Sequence, residues 1–158
     1  MSATTPKASN HASLPAMASR FVDVTQIPWD KTIYEGVETK TLLVDRDSGV
    51  MTLLMKMAPG AQLPDHAHVL IEQTWVLEGS LVCGEGTCTA GNFVWRPAGS
   101  SHTAAAGPEG GLMLAMFQIA NKFYAKDGRV VDFLGHDWEE RWGPAMRKNS
   151  QPAVETSI

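Results

Sequence analysis

The chain has 158 residues, 44% of them hydrophobic, with a formal charge of -4 and a pI near 5.7. That suits one globular domain with a real core and leaves little room for two. No cluster of Lys and Arg marks a face for nucleic acid or an anionic membrane, and no apolar run reaches bilayer length.

The opening MSATTPKASNHASLPAMASR lacks the apolar stretch of a signal peptide, so a cytoplasmic protein is expected. Residues 1–20, rich in Ala, Ser, Thr and Pro without an apolar period, read as a disordered arm. The folded domain is expected over residues 21–142. From Phe21 short apolar runs alternate with turn signals: FVDVTQIPW, then KTLLV closed by DRDSG, then VMTLLMKM closed by APG. In the last of these Met51, Leu53, Met55 and Met57 share a face and are expected to pack the core. The pattern continues through EQTWVL, SLVC, NFVWRP and GLMLAMFQIA. Strands at intervals of roughly ten residues predict an all-β sandwich, barrel or jelly roll. Cys83 and Cys88 flank GEGT, a hairpin turn; lacking CxxC spacing, they read as reduced strand residues. FYAKDGRVVDF predicts a last hairpin turning at Asp127-Gly128, and GHDWEERW a helical turn or two. Residues 143–158 offer little to bury and read as a flexible tail.

The chemistry concentrates in GAQLPDHAHVLIEQTWVLEG, residues 60–79. Alternation places His66 and His68 on one face of a strand. Glu72 shares that face if the strand resumes in phase after a bend at residues 69–71; Thr74 and Val76 then point the same way, and Trp75 and Leu77 the other. Two imidazoles and a carboxylate on an inner wall are costly to bury unpaired, and one divalent cation satisfies all three. An HxH on an exposed strand also arises by chance. A second stretch, GNFVWRPAGSSHT, changes the balance: Gly91 opens a strand, Pro97 and Gly99 turn it, and His102 brings a third imidazole. Glu72 is then an optional fourth ligand, with the remaining positions open to water, substrate or oxygen.

These two stretches resemble the paired cupin motifs. Gly60, His66, His68, Glu72 and Gly79 match the first at every defining position. Gly91, Pro97, Gly99 and His102 match the second, whose closing asparagine is Ala106 here. The resemblance implies a cupin double-stranded β-helix, a jelly-roll barrel, with a metal held by His66, His68, Glu72 and His102. Within that superfamily, PWDKTIYEGVETKTLLVDRDSGVMTLLMKMAPGAQLPDHAH is similar to the cupin domain of ChrR-type anti-sigma factors, through Trp29, Gly36, Val37, Lys40, Leu42-Leu43 and Pro59-Gly60. Those factors also carry an N-terminal zinc domain with a His/Cys cluster; the first sixty residues here hold no cysteine. Single-domain relatives include acetylacetone dioxygenase. The resemblance therefore implies a non-haem Fe(II) dioxygenase cleaving a carbon-carbon bond in a small carbonyl compound, a diketone or an aromatic ketone. Zn, Mn or Ni also suit this ligand set. Glu72 is then either a ligand or a catalytic base. The other implied reading is a non-catalytic ChrR-type metal cupin, a small-ligand sensor or binding module. A small molecule is the expected partner, and a homodimer joined through sheet edges the expected assembly.

Other residues have plainer readings. Arg96 balances an anionic substrate if it points inward, and is an ordinary solvent-facing strand residue otherwise. Trp75 and Trp95 are expected to be buried in a sheet or dimer interface. Some of Met113, Met116 and Phe117 are expected to wall a pocket. Asp65 faces away from the ligands, and His11 and His136 lie outside the motifs.

Overall fold

A computed structural model of the protein describes residues 3–150. The strands in chain order are β1 (Ala3–Thr4), β2 (Asp30–Lys31), β3 (Val37–Asp45), β4 (Met51–Met57), β5 (Gln62–Ala67), β6 (Glu72–Cys83), β7 (Gly86–Thr89), β8 (Phe93–Arg96), β9 (Ser101–Phe117), β10 (Lys122–Tyr124) and β11 (Val130–Val131). One helix, α1 (Trp138–Asn149), follows them. Among the described residues no helix is long and apolar enough to cross a membrane.

All the strands curl into one sheet whose spine is β9. The second half of β9 lies between β4 and β6, and its first half between β5 and the end of β6. Alternation turns Met51, Leu53, Met55 and Met57 inward, as the sequence predicts, against Val76, Met113, Ala115 and Phe117. Burying a side chain of this size contributes about 1.5–3 kcal/mol, so this methionine-rich wall is a main source of stability.

EQTWVL and SLVC form a single strand, β6. The EGS between them does not turn the chain; it shifts register against β9 on either side of Gly79. Gly79 has φ +65°, and a Cβ there would overlap the Gly110 carbonyl oxygen, so only glycine lets β6 and β9 meet at this point.

Two expectations about the ends are corrected. Residues 3–20 are not a free arm: β1 pairs antiparallel with β3, and Thr5 donates its hydroxyl to the Leu42 carbonyl over 2.7 Å. Leu42 sits where the β3–β4 register shifts between Thr41 and Leu43, which leaves it without a partner in β4. Pairing with a sheet edge uses main-chain groups and needs no hydrophobic period, so composition did not show it. Residues 143–149 are likewise helix rather than loose tail; residues 151–158 lie outside the described residues. Asp137 caps α1 through the Glu140 N–H, and Trp138, Trp142 and Ala145 recur at helical spacing on its buried face. Buried Asp132 anchors the helix, accepting from Trp142 Nε1 at 3.1 Å and from the Leu134 and His136 N–H groups. The predicted hairpin at Asp127-Gly128 is formed by β10 and β11.

Candidate metal centre

The register explains how the motif residues meet. His66 on β5 and His102 on β9 are direct cross-strand partners. His68 follows two residues later, and the Pro97-Gly99 turn clamps it from both sides: Gly99 N–H donates to the His68 carbonyl at 2.7 Å, and His68 N–H to the Ser100 carbonyl at 2.8 Å. The second motif thus holds the first in place. The three imidazoles lie with ring centroids 4.7–5.1 Å apart, and one nitrogen from each falls within 4.8 Å of the others. The group His66, His68 and His102 is a candidate site for a divalent metal.

Hydrogen bonds decide which nitrogens are free. His66 Nδ1 donates to the Pro64 carbonyl at 2.8 Å, which leaves Nε2 its lone pair. Ser100 Oγ donates to the Pro97 carbonyl, so toward His68 it accepts, and His68 Nδ1 carries the proton shared with Ser100. His68 Nε2 is therefore aimed at Glu72 Oε2, 3.4 Å away, without hydrogen-bond geometry; His102 Nδ1 is also buried without a partner. A lone pair facing a carboxylate across this gap is repulsive unless a proton or a cation lies between them. The donor set fits a divalent transition metal on this ground, and the bonds from His66 to Pro64 and from His68 to Ser100 are of the kind that orient ligand imidazoles.

Burial lowers the basicity of His66, and burial together with the Arg96 charge takes His102 down to about 3. Neutral imidazoles are what metal ligation requires. Burial pushes the Glu72 carboxyl up, but its close approach to His68 and the Asn121 donor outweigh it and hold the carboxyl at about 2. Glu72 stands beside the three-imidazole group rather than within it. Both its oxygens are engaged: Oε1 accepts from Thr74 Oγ1 at 3.0 Å and Oε2 from Asn121 Nδ2 at 2.6 Å.

Asn121 and Phe123, whose ring stacks on His66 at 4.7 Å, were not singled out in the sequence. Asn121 lies between β9 and β10 and Phe123 on β10, outside both motifs in sequence, and the only signal is a polar residue directly after an apolar run. Met55, Leu63, Leu81, Met113, Phe123 and Phe133 make the chamber around the imidazoles apolar, with a free volume of about 30 Å³, space for one or two waters. Among the expected pocket residues, Met113 lines it.

Two further expectations change. Arg96 does point inward and is 8% exposed. Trp75 and Trp95 are not buried within the chain but 46% and 58% exposed on its outer face, which excludes the sheet interior and leaves the dimer interface of the expectation, because the alternation that turns Glu72 and Thr74 inward turns them out. Cys83 and Cys88 are free thiols, as expected.

A model of the ChrR Cupin-like domain matches residues 17–121. Comparison with curated proteins finds no match. Among solved structures, an acetylacetone dioxygenase from Acinetobacter johnsonii superposes with TM-score 0.65 at 16% identity, covering 87% of this chain and 98% of that one. An RmlC-like cupin protein from Ralstonia eutropha JMP134 gives 0.65 at 16% identity, covering 89% and 95%. The Rhodobacter sphaeroides complex of SigE with the anti-sigma ChrR gives 0.52 at 24% identity, covering 60% of this chain and 51% of that one. At these identities the likeness establishes the cupin fold.

Proposed function

The chain belongs to the ChrR cupin-like family, and on that basis we propose that it is a metal-dependent dioxygenase cleaving a carbon-carbon bond in a small carbonyl compound. The observation that carries this reading is a three-imidazole cluster with unpartnered buried nitrogens inside an apolar chamber. His66, His68 and His102 would hold the ion, Fe(II) being the favoured one. When bound, such an ion supplies Lewis-acid activation of a dicarbonyl and a redox path for dioxygen.

The chain's own residues do the rest. His66 is fixed by Pro64 and backed by Phe123, and His68 is fixed by Ser100, so neither ring turns when substrate arrives. The apolar wall excludes water from the reacting carbon. A carboxyl held near 2 is a weak base. Glu72 therefore serves as a fixed negative charge beside His68, steadied by Thr74 and Asn121, rather than as the proton acceptor. Both atoms of dioxygen enter the products, one carbon-carbon bond breaks, and a carboxylic acid and a second carbonyl compound leave, so no external reductant is needed. The relative from Acinetobacter johnsonii supports this chemistry.

The family match also supports a second reading, a non-catalytic metal cupin that senses a small ligand. The deciding experiment is elemental analysis of protein purified without added metal, followed by oxygen uptake with small diketones after anaerobic Fe(II) loading. Near-stoichiometric iron with substrate-dependent uptake supports the dioxygenase. Tightly held zinc without uptake replaces it with the sensor.

We also propose a homodimer. Trp75, Leu77, Phe93 and Trp95 form an exposed, uncharged outer face that can meet its own copy without like-charge repulsion. Light scattering of the wild type and a Trp75→Ser, Trp95→Ser double variant checks it; an unchanged mass overturns this placement.

A further inference from the structure

Arg96 is a buried charge that the imidazole cluster leaves unused. Its donors are poorly matched. Nη2 reaches Cys83 Sγ at 3.1 Å, a weak acceptor. Nη1 lies 3.6 Å from Glu85 Oε2, on a side chain 71% exposed at the β6–β7 turn. Nε is buried with no partner at all. Leaving a guanidinium buried in this state is costly, and the fork geometry of its N–H groups matches a carboxylate.

The surroundings supply space for one. Arg96 lines a cavity of about 300 Å³ with Leu81, Cys83, Glu85, Cys88 and Val94. Leu81 also lines the imidazole chamber, so the two spaces share a wall residue. The inner chamber, at about 30 Å³, takes only a few atoms, whereas the outer cavity takes the body of a small organic molecule. Glu85 Oε2 also lies 4.0 Å from His102 Nδ1, which places this carboxylate between the outer cavity and the cluster.

We propose that the outer cavity binds the carboxylate of a small oxo acid on Arg96, displacing Glu85, so that the carbonyl end of the substrate enters the imidazole chamber past Leu81. This rests on the dioxygenase reading and narrows its substrate class from neutral diketones to oxo carboxylates. Glu85 is a resident stand-in: its long contact to Arg96 and its exposure make it easy to displace.

The test is calorimetric binding of acetoacetate and of neutral acetylacetone to the zinc-loaded protein, which needs no turnover. Arg96→Gln is expected to weaken acetoacetate by at least about tenfold and acetylacetone by less than about twofold. Glu85→Gln, which removes the competing carboxylate, is expected to tighten acetoacetate several-fold. Equal acetoacetate binding by wild type and Arg96→Gln, or no binding by wild type, overturns the proposal. If Arg96→Gln does not fold, Glu85→Gln decides: tighter acetoacetate binding supports the proposal and unchanged binding overturns it. Oxygen uptake separates the two readings. Arg96-dependent binding without uptake removes the dioxygenase and keeps the anion site. Uptake with acetylacetone, beside acetoacetate binding that ignores Arg96, does the reverse.

Discussion

Gly60 and Gly79 open and close the first motif, and both have left-handed backbones, φ +70° and +65°. An alanine at either position carries about 1–2 kcal/mol of backbone strain, offset by about 0.4–1 kcal/mol from the stiffer unfolded chain. Their surroundings differ. A Cβ at Gly60 meets nothing within 4 Å, whereas one at Gly79 overlaps the Gly110 carbonyl oxygen and lies 2.8 Å from its carbon and 3.1 Å from Gly111 Cα. Those atoms belong to β9, which is held between β4 and β6 and has no rotamer to change. Overpacking of this kind costs about 1–3 kcal/mol. Gly60→Ala is therefore expected to lose about 1 kcal/mol, and Gly79→Ala about 2–4 kcal/mol. Urea unfolding of the metal-free proteins, followed by tryptophan fluorescence, gives both values at matched m. The strain and unfolded-chain contributions cancel in the difference, which isolates the overlap. Equal losses, within about 0.5 kcal/mol, would refute the close β6–β9 approach as the reason for glycine at 79.

Three other outcomes are expected. His102→Ala removes one imidazole of three, and elemental analysis should find the metal lost while circular dichroism keeps its β-sheet signature; full metal content in the variant would sink the site. Asn121→Ala takes a 2.6 Å donor from Glu72, and metal affinity measured by chelator competition should fall by about 10–100-fold. An unchanged affinity would detach Glu72 from the metal. Tyr34, which packs on Phe123, has its phenol raised by burial and then by the Asp132 charge from 10.0 to about 12. Because the folded value exceeds the unfolded one, its contribution is complete below 10.0 and lost as the pH rises through about 12. Tyr34→Phe should flatten the decline of Tm between those values, and parallel wild-type and variant curves would contradict this.

The pairing of His66 with His102 across β5 and β9 shows how far local pattern reaches. Alternation told that His66, His68 and Glu72 share a face, and the Pro97-Gly99 turn told where His102 leaves its strand. Residue spacing of two and a forced turn are local facts, written in consecutive residues, and the strand pattern from β3 to β11 is of the same kind. The docking of residues 3–5 on β3 was illegible because main-chain pairing leaves no hydrophobic trace. The helix past Gly143 was hidden by Pro144, which reads as a breaker until the buried Trp138 and Trp142 hold the segment in place.

By itself the sequence determined the all-β pattern, the inward methionines and the shared face of His66, His68 and Glu72, because each depends on neighbours in the chain. Only the tertiary structure decided that Asn121, 49 residues away, clasps Glu72, and that Arg96 turns inward beside Cys83 with its Nε unmatched. Both depend on which strands the curled sheet brings side by side, and a hydrogen bond or a buried charge is governed by distance in space, which spacing along the chain does not encode.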